Sequence, residues 1–230
     1  MGTPSRSALA DQIASALEGT PAHFETLVAG YGFSRDTLVE ATLVSAIMAA
    51  LNRSVAAEAL LEFRAPVDGW NPVPHGVDIS LVDRDRNESA FIEVKWCNNN
   101  TVCEMMWDAL KLACITWPPG ANVTRLLAYA ASRERHWEKG VNCARYFTEP
   151  FGIDRLPVDT TDFLMDDEGS WRYNLGGGGA RPVKVPATLV LRPVKVLELQ
   201  TDLEPFDLRV ISVEPGDAKR WVTLVDGFPT

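Results

Sequence analysis

The sequence lacks several features that would assign it to a protein class at once. Its four cysteines form no C-x-x-C pair and have no metal-finger spacing with the three histidines, so a zinc site and a disulfide framework are poorly supported. No run approaches the roughly 18 apolar residues of a membrane span, and residues 1–12 have no apolar core that would serve as a secretory signal. We therefore expect an intracellular, cytoplasmic protein without a membrane partner.

Positive charge is also scarce. The net charge of -9 excludes a uniformly basic nucleic-acid-binding surface, because Lys and Arg contacts to phosphate supply most non-specific affinity. A local basic strip stays open, with an ordinary solvated face as its alternative. Its members are Arg125, Arg133, Arg135, Lys139 and Arg145. The 46% hydrophobic and 23% charged residues are those of an ordinary globular protein, and 230 residues suffice for one sizeable domain.

Apolar periodicity predicts a helical start followed by alternating strands and helices. The elements run helix, helix, three strands, helix and strand, over residues 5–18, 33–52, 57–65, 77–83, 90–96, 101–115 and 124–132. Gly19, Thr20 and Pro21 interrupt the first pattern, so we expect the first helix to end there. The second helix has Ser34 or Thr37 as its candidate cap.

The second half of the chain has a different character. A run of four glycines at 176–179 has neither the G-x-G-x-x-G nor the Walker A arrangement, which favours a loop or tight turn over a phosphate cradle. Residues 187–199 and 207–215 then have strand-forming patterns. We predict three segments: an N-terminal helical segment (1–32), a core (33–150) and a β-rich C-terminal extension packed on the core (151–230).

The predicted hairpin determines how three charged side chains lie. With the turn centred between Asp85 and Arg86, residues whose numbers sum to 171 face each other, and Asp78 lies opposite Glu93. Lys95 follows Glu93 by two residues and projects from the same face. The other face is predicted to be uniformly apolar, through the pairs Val77 with Val94, Ile79 with Ile92, and Leu81 with Ala90.

Two carboxylates facing each other across a hairpin repel unless a cation or a proton lies between them. Ligands that are all oxygen suit Mg2+ or Mn2+, and such an ion can activate a water and stabilise charge on a phosphate. The pattern therefore favours a divalent cation at Asp78 and Glu93. The alternative is a solvated hairpin face on an unrelated fold.

At these residues the sequence resembles the PD-(D/E)XK nuclease superfamily. The family signature is an Asp that opens the second core strand and a Glu-x-Lys on the third, which correspond here to Gly76-Val77-Asp78 and Ile92-Glu93-Val94-Lys95. Val77 replaces the proline of the family name. The resemblance covers about residues 33–132 and implies an α/β fold: a restriction-endonuclease-like core with a mixed four-stranded sheet flanked by helices. It also implies metal-dependent hydrolysis of phosphodiester bonds, and we expect the substrate to be DNA.

The resemblance also implies roles for single residues. Asp78, Glu93 and the backbone carbonyl of Val94 would bind Mg2+ or Mn2+, and Lys95 would position the attacking water or help to deprotonate it. The helix before the strands often adds an acid in this family, for which Glu40 is the candidate. The competing interpretation of Glu40 is a capping box with Thr37, in which the carboxylate only satisfies a backbone N–H.

Lys111 and His75 are candidates for substrate contacts. Lys111 lies in the helix after the hairpin, a helix that often sends a polar side chain toward the site in this family, and a surface lysine is its alternative. His75 precedes the second strand, and an ordinary loop histidine is its alternative. Glu58 and Glu62 are weaker candidate acids, which we expect to face solvent.

A catalytically inactive nuclease-fold domain, serving as a binding or regulatory partner in a larger assembly, is the second functional hypothesis. The acidic pI of about 4.9 favours it, whereas the intact set of Asp78, Glu93 and Lys95 opposes it. A hydrolase of smaller phosphate compounds is the third. A homodimer, or a partner protein that supplies DNA affinity, is compatible with the first hypothesis.

Overall fold

The computed structural model describes residues 8–31, 40–55, 57–67, 75–97, 102–116, 119–132, 156–157, 183–200, 206–216, 220–225 and 228–229. Its helices are α1 (Ala8–Ala16), α2 (Thr20–Tyr31), α3 (Glu40–Ser54) and α4 (Val102–Ala113), and a short 3-10 helix (Leu17–Gly19) joins α1 to α2. Its strands are β1 (Glu58–Ala65), β2 (His75–Asp83), β3 (Glu88–Trp96), β4 (Asn122–Ser132), β5 (Leu156–Pro157), β6 (Val183–Pro186), β7 (Thr188–Leu199), β8 (Phe206–Pro215), β9 (Trp221–Val225) and β10 (Phe228–Pro229). Within these ranges, none of the helices is long and apolar enough to cross a membrane.

The protein is α/β, with a mixed sheet flanked by helices. The strand order is β1-β2-β3-β4-β8-β7-β5, in which β3 and β4 are parallel and the other neighbours are antiparallel. The predicted four strands are β1 to β4, but the sheet is larger than predicted because β8 pairs with β4 along seven residues. That pairing satisfies the backbone groups that an apolar β4 would otherwise leave on an open edge. Part of the predicted C-terminal extension therefore continues the sheet, and β6, β9 and β10 form a second, three-stranded sheet.

The start of the chain is more helical than predicted. The first helix ends at Ala16, followed by the 3-10 helix up to Gly19, as the interruption predicted, but α2, which was not predicted, begins at Thr20 and continues to Tyr31. Pro21 lies in the first turn of α2, where its missing N–H costs no intrahelical hydrogen bond and its fixed φ suits a helix. Phe24 of α2 is fully buried. The prediction placed the end of the first helix correctly but did not anticipate that Pro21 would lie in the first turn of a second helix.

Each face of the large sheet is covered by its own apolar cluster. On one face α1, α2 and α3 pack on β2, β3 and β4 through residues such as Leu9, Phe24 and Ile47. On the other face α4 and β6 pack on the same strands through residues such as Leu110 and Val185. Because β3 and β4 are covered on both sides, both of their faces are apolar. A charged residue on β3 that faces α4 must therefore find partners inside the protein.

The predicted hairpin register is confirmed between Ile79 and Asp83. Ile79 pairs with Ile92 and Leu81 with Ala90, so the paired numbers sum to 171 as expected. The ladder between β2 and β3 ends at Ile79, the residue after Asp78 in the chain, so the predicted pairs of Asp78 with Glu93 and of Val77 with Val94 lie outside it.

The period-two alternation of β2 breaks at Asp78. Beyond that residue Val77 packs in the α4 cluster, whereas Ile79 and Val94 pack in the α1–α3 cluster, so the prediction of a uniformly apolar face is wrong at Val77. Glu62 of β1, which would face Asp78 in the same register, is skipped in the pairing and has a φ of 50°. A positive φ is costly for a residue with a Cβ. At Asp78, therefore, β1 skips one pairing before it continues along β2, and the pairing with β3 ends.

Replacing Asn87 in the hairpin turn by Ala should lower the free energy of unfolding by about 1–2 kcal/mol. Asn87 has a φ of 54°, a conformation that Asn tolerates better than Ala, and its Nδ2 donates to the carbonyl of Gly120 at 3.0 Å. Urea unfolding measures the loss. Asn87→Gly keeps the conformational freedom and should lose less. An Ala variant as stable as the wild type would contradict this role of the turn.

Candidate functional site

Six charged side chains from four elements lie together at the point where the β2–β3 ladder ends. We call them the acid–lysine cluster: Glu40, Asp78, Glu93, Lys95, Asp108 and Lys111. Glu93 and Lys95 alternate with Ile92 and Val94 along β3, so they project from the face that α4 covers. Asp108 and Lys111 are three residues apart on α4, which places them on one side of that helix.

The ammonium group of Lys111 has three acceptors. It lies 2.6 Å from Glu93 Oε1 and 3.2 Å from Asp108 Oδ1, and it donates to the carbonyl of Gly76 at 3.2 Å. Lys111 thus has one hydrogen bond, to Gly76, and two ion pairs, with Glu93 and Asp108. Lys111 has a side chain that is only 14% exposed, so it is not the surface lysine that was the alternative interpretation.

Lys95 and Asp108 connect the rest of the cluster. Lys95 Nζ lies 3.3 Å from Glu40 Oε2 and 3.4 Å from Asp108 Oδ2. Asp108 therefore holds both lysines, one with each carboxylate oxygen. Glu40 is the first residue of α3 and points toward Lys95 across the end of the sheet. Thr37, its partner in the capping-box alternative, lies outside the described residues.

Asp78 is held beside Glu93 by a bond that the register did not predict. Its Oδ2 accepts a hydrogen bond from the backbone N–H of Val94 at 2.7 Å. The side chain thus bonds to β3 just beyond the last paired residue of β2. A carboxylate that accepts a backbone N–H is fixed in orientation, and this bond places Asp78 next to the strand position that carries Glu93.

Burial and mutual repulsion control the acids of the cluster. Glu93 is 3% exposed. Burial raises its pKa well above the usual range, and the charges of Asp108 and Asp78 raise it further while Lys111 opposes them. Burial also raises the pKa of Glu40, an effect that Lys95 opposes. Both carboxyl groups are therefore costly to ionise where they lie.

The two lysines stay protonated at neutral pH. Burial alone would lower their pKa values, but the neighbouring carboxylates outweigh it. The pKa of Lys111 rises to about 12, chiefly through Asp108 and Glu93. The pKa of Lys95 rises above its usual range, chiefly through Asp108 and Glu40. Each lysine is thus a fixed positive charge that cannot readily accept a proton.

The other predicted site residues lie as follows. His75 opens β2 with its backbone opposite Ala65, and its side chain lies outside the described part of the structure. Val94 donates its N–H to Asp78 and has a buried, apolar side chain. Glu58 and Glu62 on the edge strand β1 are exposed, as expected.

The predicted basic strip is not supported at Arg125. Its guanidinium is turned inward and donates to the carbonyl of Ile115 at 2.6 and 3.0 Å and to that of Val123 at 3.3 Å. Arg125 therefore has a structural role. The remaining four members of the strip lie outside the described residues: Arg133, Arg135, Lys139 and Arg145.

Asp108 is the cluster residue that sequence reasoning missed. It lies between Trp107 and Ala109, both buried, on a helix whose apolar residues pack on the sheet. A single acid within such a helix, three residues before a lysine, was a signal that could have identified it. The signal indicates a buried ion pair, whereas the partners on β3 become apparent only from the packing of α4.

Within the described ranges, no three His, Cys, Asp or Glu side chains converge in an arrangement that could hold a metal ion. Lysine ammonium groups contact three of the four carboxylates of the cluster, those of Glu40, Glu93 and Asp108. The donor chemistry nevertheless fits Mg2+ or Mn2+. The cluster has two more carboxylates than ammonium groups, and Glu93 Oε1 and Asp108 Oδ2 are buried without a partner of hydrogen-bond geometry, although each lies near a lysine. Asp78 and Glu93 would hold such an ion.

No family model, curated protein or solved structure matches the chain. The resemblance to PD-(D/E)XK nucleases therefore depends on Asp78, Glu93 and Lys95 and on the order of the elements.

Glu93→Gln should make the free energy of unfolding less dependent on pH. The wild type becomes less stable as pH rises, and the variant should lose less stability. The folded-state pKa of Glu93 lies above its unfolded value of about 4.5, so the folded state binds the proton more tightly than the unfolded state. Stability is then lost as pH rises from 4.5 through the raised pKa. Urea midpoints in EDTA, from pH 4.5 to pH 8, should fall less steeply for Glu93→Gln than for the wild type. The exposed Glu58→Gln should follow the wild type. Equal slopes for all three proteins would contradict the buried charge.

Proposed function

We propose that this protein is a metal-dependent nuclease of the PD-(D/E)XK type, with a restriction-endonuclease-like core, that hydrolyses phosphodiester bonds in DNA. The observation that carries the proposal is the gathering of Asp78, Glu93 and Lys95 in one partly buried cluster at the open end of the β2–β3 hairpin. The element order supports the core assignment. The antiparallel strands β1, β2 and β3 are followed by α4 and then by β4, which is parallel to β3.

A divalent cation held by Asp78 and Glu93 would supply a Lewis acid that activates water and neutralises charge on the scissile phosphate. The protein supplies the placement of these acids. The N–H of Val94 fixes one carboxylate, and the β3 backbone, buried on both faces, fixes the other. Preorganised charges in a site with little water act more strongly than the same charges in bulk solvent.

Lys95 acts in this proposal as a positioning and charge-stabilising group. Because its pKa is raised, it remains an ammonium at neutral pH and donates hydrogen bonds to the attacking water or to a phosphate oxygen. Of the two roles that the family resemblance implies, positioning is therefore favoured over deprotonation. Glu40 and Asp108 keep Lys95 charged and oriented. Glu40 would bind a cation only after leaving Lys95.

Binding of a polyanion needs help from outside the cluster. The net charge of -9 opposes non-specific attraction of DNA. Lys95 and Lys111 are the positive groups of the described cluster, and both are already paired with acids. A homodimer, or a partner protein that contributes basic surface, is accordingly part of the proposal.

A second function is favoured by a specific observation. The lysines neutralise much of the cluster internally, which is the arrangement expected of a catalytically inactive nuclease-fold domain that acts as a binding or regulatory partner. In such a domain the cluster would stabilise the packing of α4 on β3 and bind no metal ion.

Cleavage of supercoiled plasmid and of circular single-stranded DNA distinguishes the two functions. We expect nicking or degradation with Mg2+ or Mn2+ and none in excess EDTA, with manganese binding measured in parallel by calorimetry. Metal binding without cleavage of either substrate would indicate a missing partner or another phosphate compound as substrate. Neither binding nor cleavage by the folded protein would support the inactive domain.

A further inference from the structure

The position of Lys111 has a consequence for how the acid pair takes up a metal ion. Its ammonium lies 2.6 Å from Glu93 Oε1, the shortest ion pair of the cluster. Glu93 is 3% exposed, and a carboxylate so buried is costly without a counter-ion. Lys111 therefore contacts a carboxylate oxygen that a bound cation would need as a ligand.

Lys111 also has partners that it can keep after losing Glu93. It contacts Asp108 Oδ1 and the carbonyl of Gly76, both at 3.2 Å. Asp108 belongs to the same helix, three residues earlier, so this contact does not depend on the sheet. Neither of these two contacts involves Glu93, so both acceptors remain available to Lys111 when a cation takes its place on Glu93.

We propose that Lys111 is a built-in counter-ion of Glu93, which a divalent cation displaces onto Asp108 and the carbonyl of Gly76 when it binds the acid pair. This inference rests on the proposed metal-dependent function and names the regulation of the same site. Without metal, Lys111 keeps two mutually repelling acids folded. With metal, the released ammonium remains beside the site as a positive charge that can face a phosphate.

Manganese binding to variants of the two lysines tests the displacement. EDTA-treated Lys111→Met should bind Mn2+ on the order of tenfold more tightly than the wild type, because the competitor for Glu93 is gone. Lys95→Met is the matched control. It removes an equal charge from the same cluster but frees no oxygen of Glu93, so it should raise the affinity clearly less than Lys111→Met does. Equal effects of the two substitutions, or no gain in Lys111→Met, would overturn the proposal.

Thermal unfolding gives a second measurement that does not depend on activity. In EDTA, Lys111→Met leaves Glu93 without its cation and should unfold at a lower temperature than the wild type. Saturating Mn2+ should raise its midpoint more than it raises that of the wild type, because ligand binding stabilises in proportion to affinity. A midpoint in EDTA equal to that of the wild type would overturn the counter-ion role.

The wild-type protein provides a test if Lys111→Met does not fold. The Nζ resonance of Lys111, assigned with Lys111→Arg, should shift when diamagnetic Mg2+ saturates the protein. An unchanged resonance at saturation would overturn displacement. DNA cleavage without displacement of Lys111 would support the nuclease function and overturn the counter-ion role. Displacement without cleavage would support the counter-ion role and contradict the nuclease function.

Discussion

Lys95→Met should reduce metal-dependent cleavage by about 10²–10³-fold while leaving the protein folded. Lys95 is the proposed donor to the attacking water or the phosphate, and Met has a similar length but no donor and no charge. The fold should persist because Asp108 keeps Lys111, and because Glu40, with a side chain that is 39% exposed, can be hydrated. Initial rates on plasmid at saturating Mn2+ measure the effect.

Two further variants determine what Lys95 does. Lys95→Arg keeps the positive charge and should retain more activity than Lys95→Met, which is the result expected of charge stabilisation. A lysine acting as a base would instead lose its function in both. Lys195→Met removes a lysine that pairs with Glu18 far along the chain and should cleave as the wild type does. Full activity in Lys95→Met would contradict the proposed role.

Asp78→Asn should weaken Mn2+ binding by more than about tenfold and lower cleavage by on the order of 10³-fold. The amide oxygen can still accept the N–H of Val94, so the geometry of the strands is preserved and the charge alone is lost. The charge of Asp78 raises the pKa values of both Glu93 and Glu40. The variant should therefore be no less stable than the wild type in EDTA.

Opposite effects on stability and activity distinguish a functional acid from a structural one. Asp83→Asn is the matched control, since Asp83 lies at the other end of β2 and accepts a hydrogen bond from the backbone N–H of Arg86 at 3.0 Å. It should leave metal binding and cleavage unchanged. A destabilised Asp78→Asn that still binds Mn2+ would show that Asp78 serves the fold alone.

The local parts of the structure were predictable from the sequence. The β2–β3 register followed from a polar turn and from period-two alternation, and each paired residue from Ile79 to Asp83 lies where it was expected. The gathering of Glu93 and Lys95 on one side of β3 followed from the same alternation. Both inferences depend on residues close together in the chain.

The parts that depend on distant contacts were not predictable. Pairing of β8 with β4 joins residues about 80 positions apart, and no local pattern specifies it. The break in strand alternation at Asp78 involves residues of the two neighbouring strands. Glu62 of β1 has a positive φ, and Val94 of β3 donates its N–H to Asp78. Asp108 acquired a role only through the packing of α4 against β3. The cluster was therefore visible in its β2 and β3 members but not in the helix that neutralises them.

The proposed nuclease depends on Asp78 and Glu93 converging on one divalent cation, and diffraction from crystals soaked in manganese chloride tests that convergence most directly. We predict an anomalous peak within about 2.5 Å of a carboxylate oxygen of each residue. Lys111 Nζ should then lie farther from Glu93 than its present 2.6 Å. Saturating manganese with no peak at these carboxylates, and with Lys111 still on Glu93, would contradict the metal-dependent site.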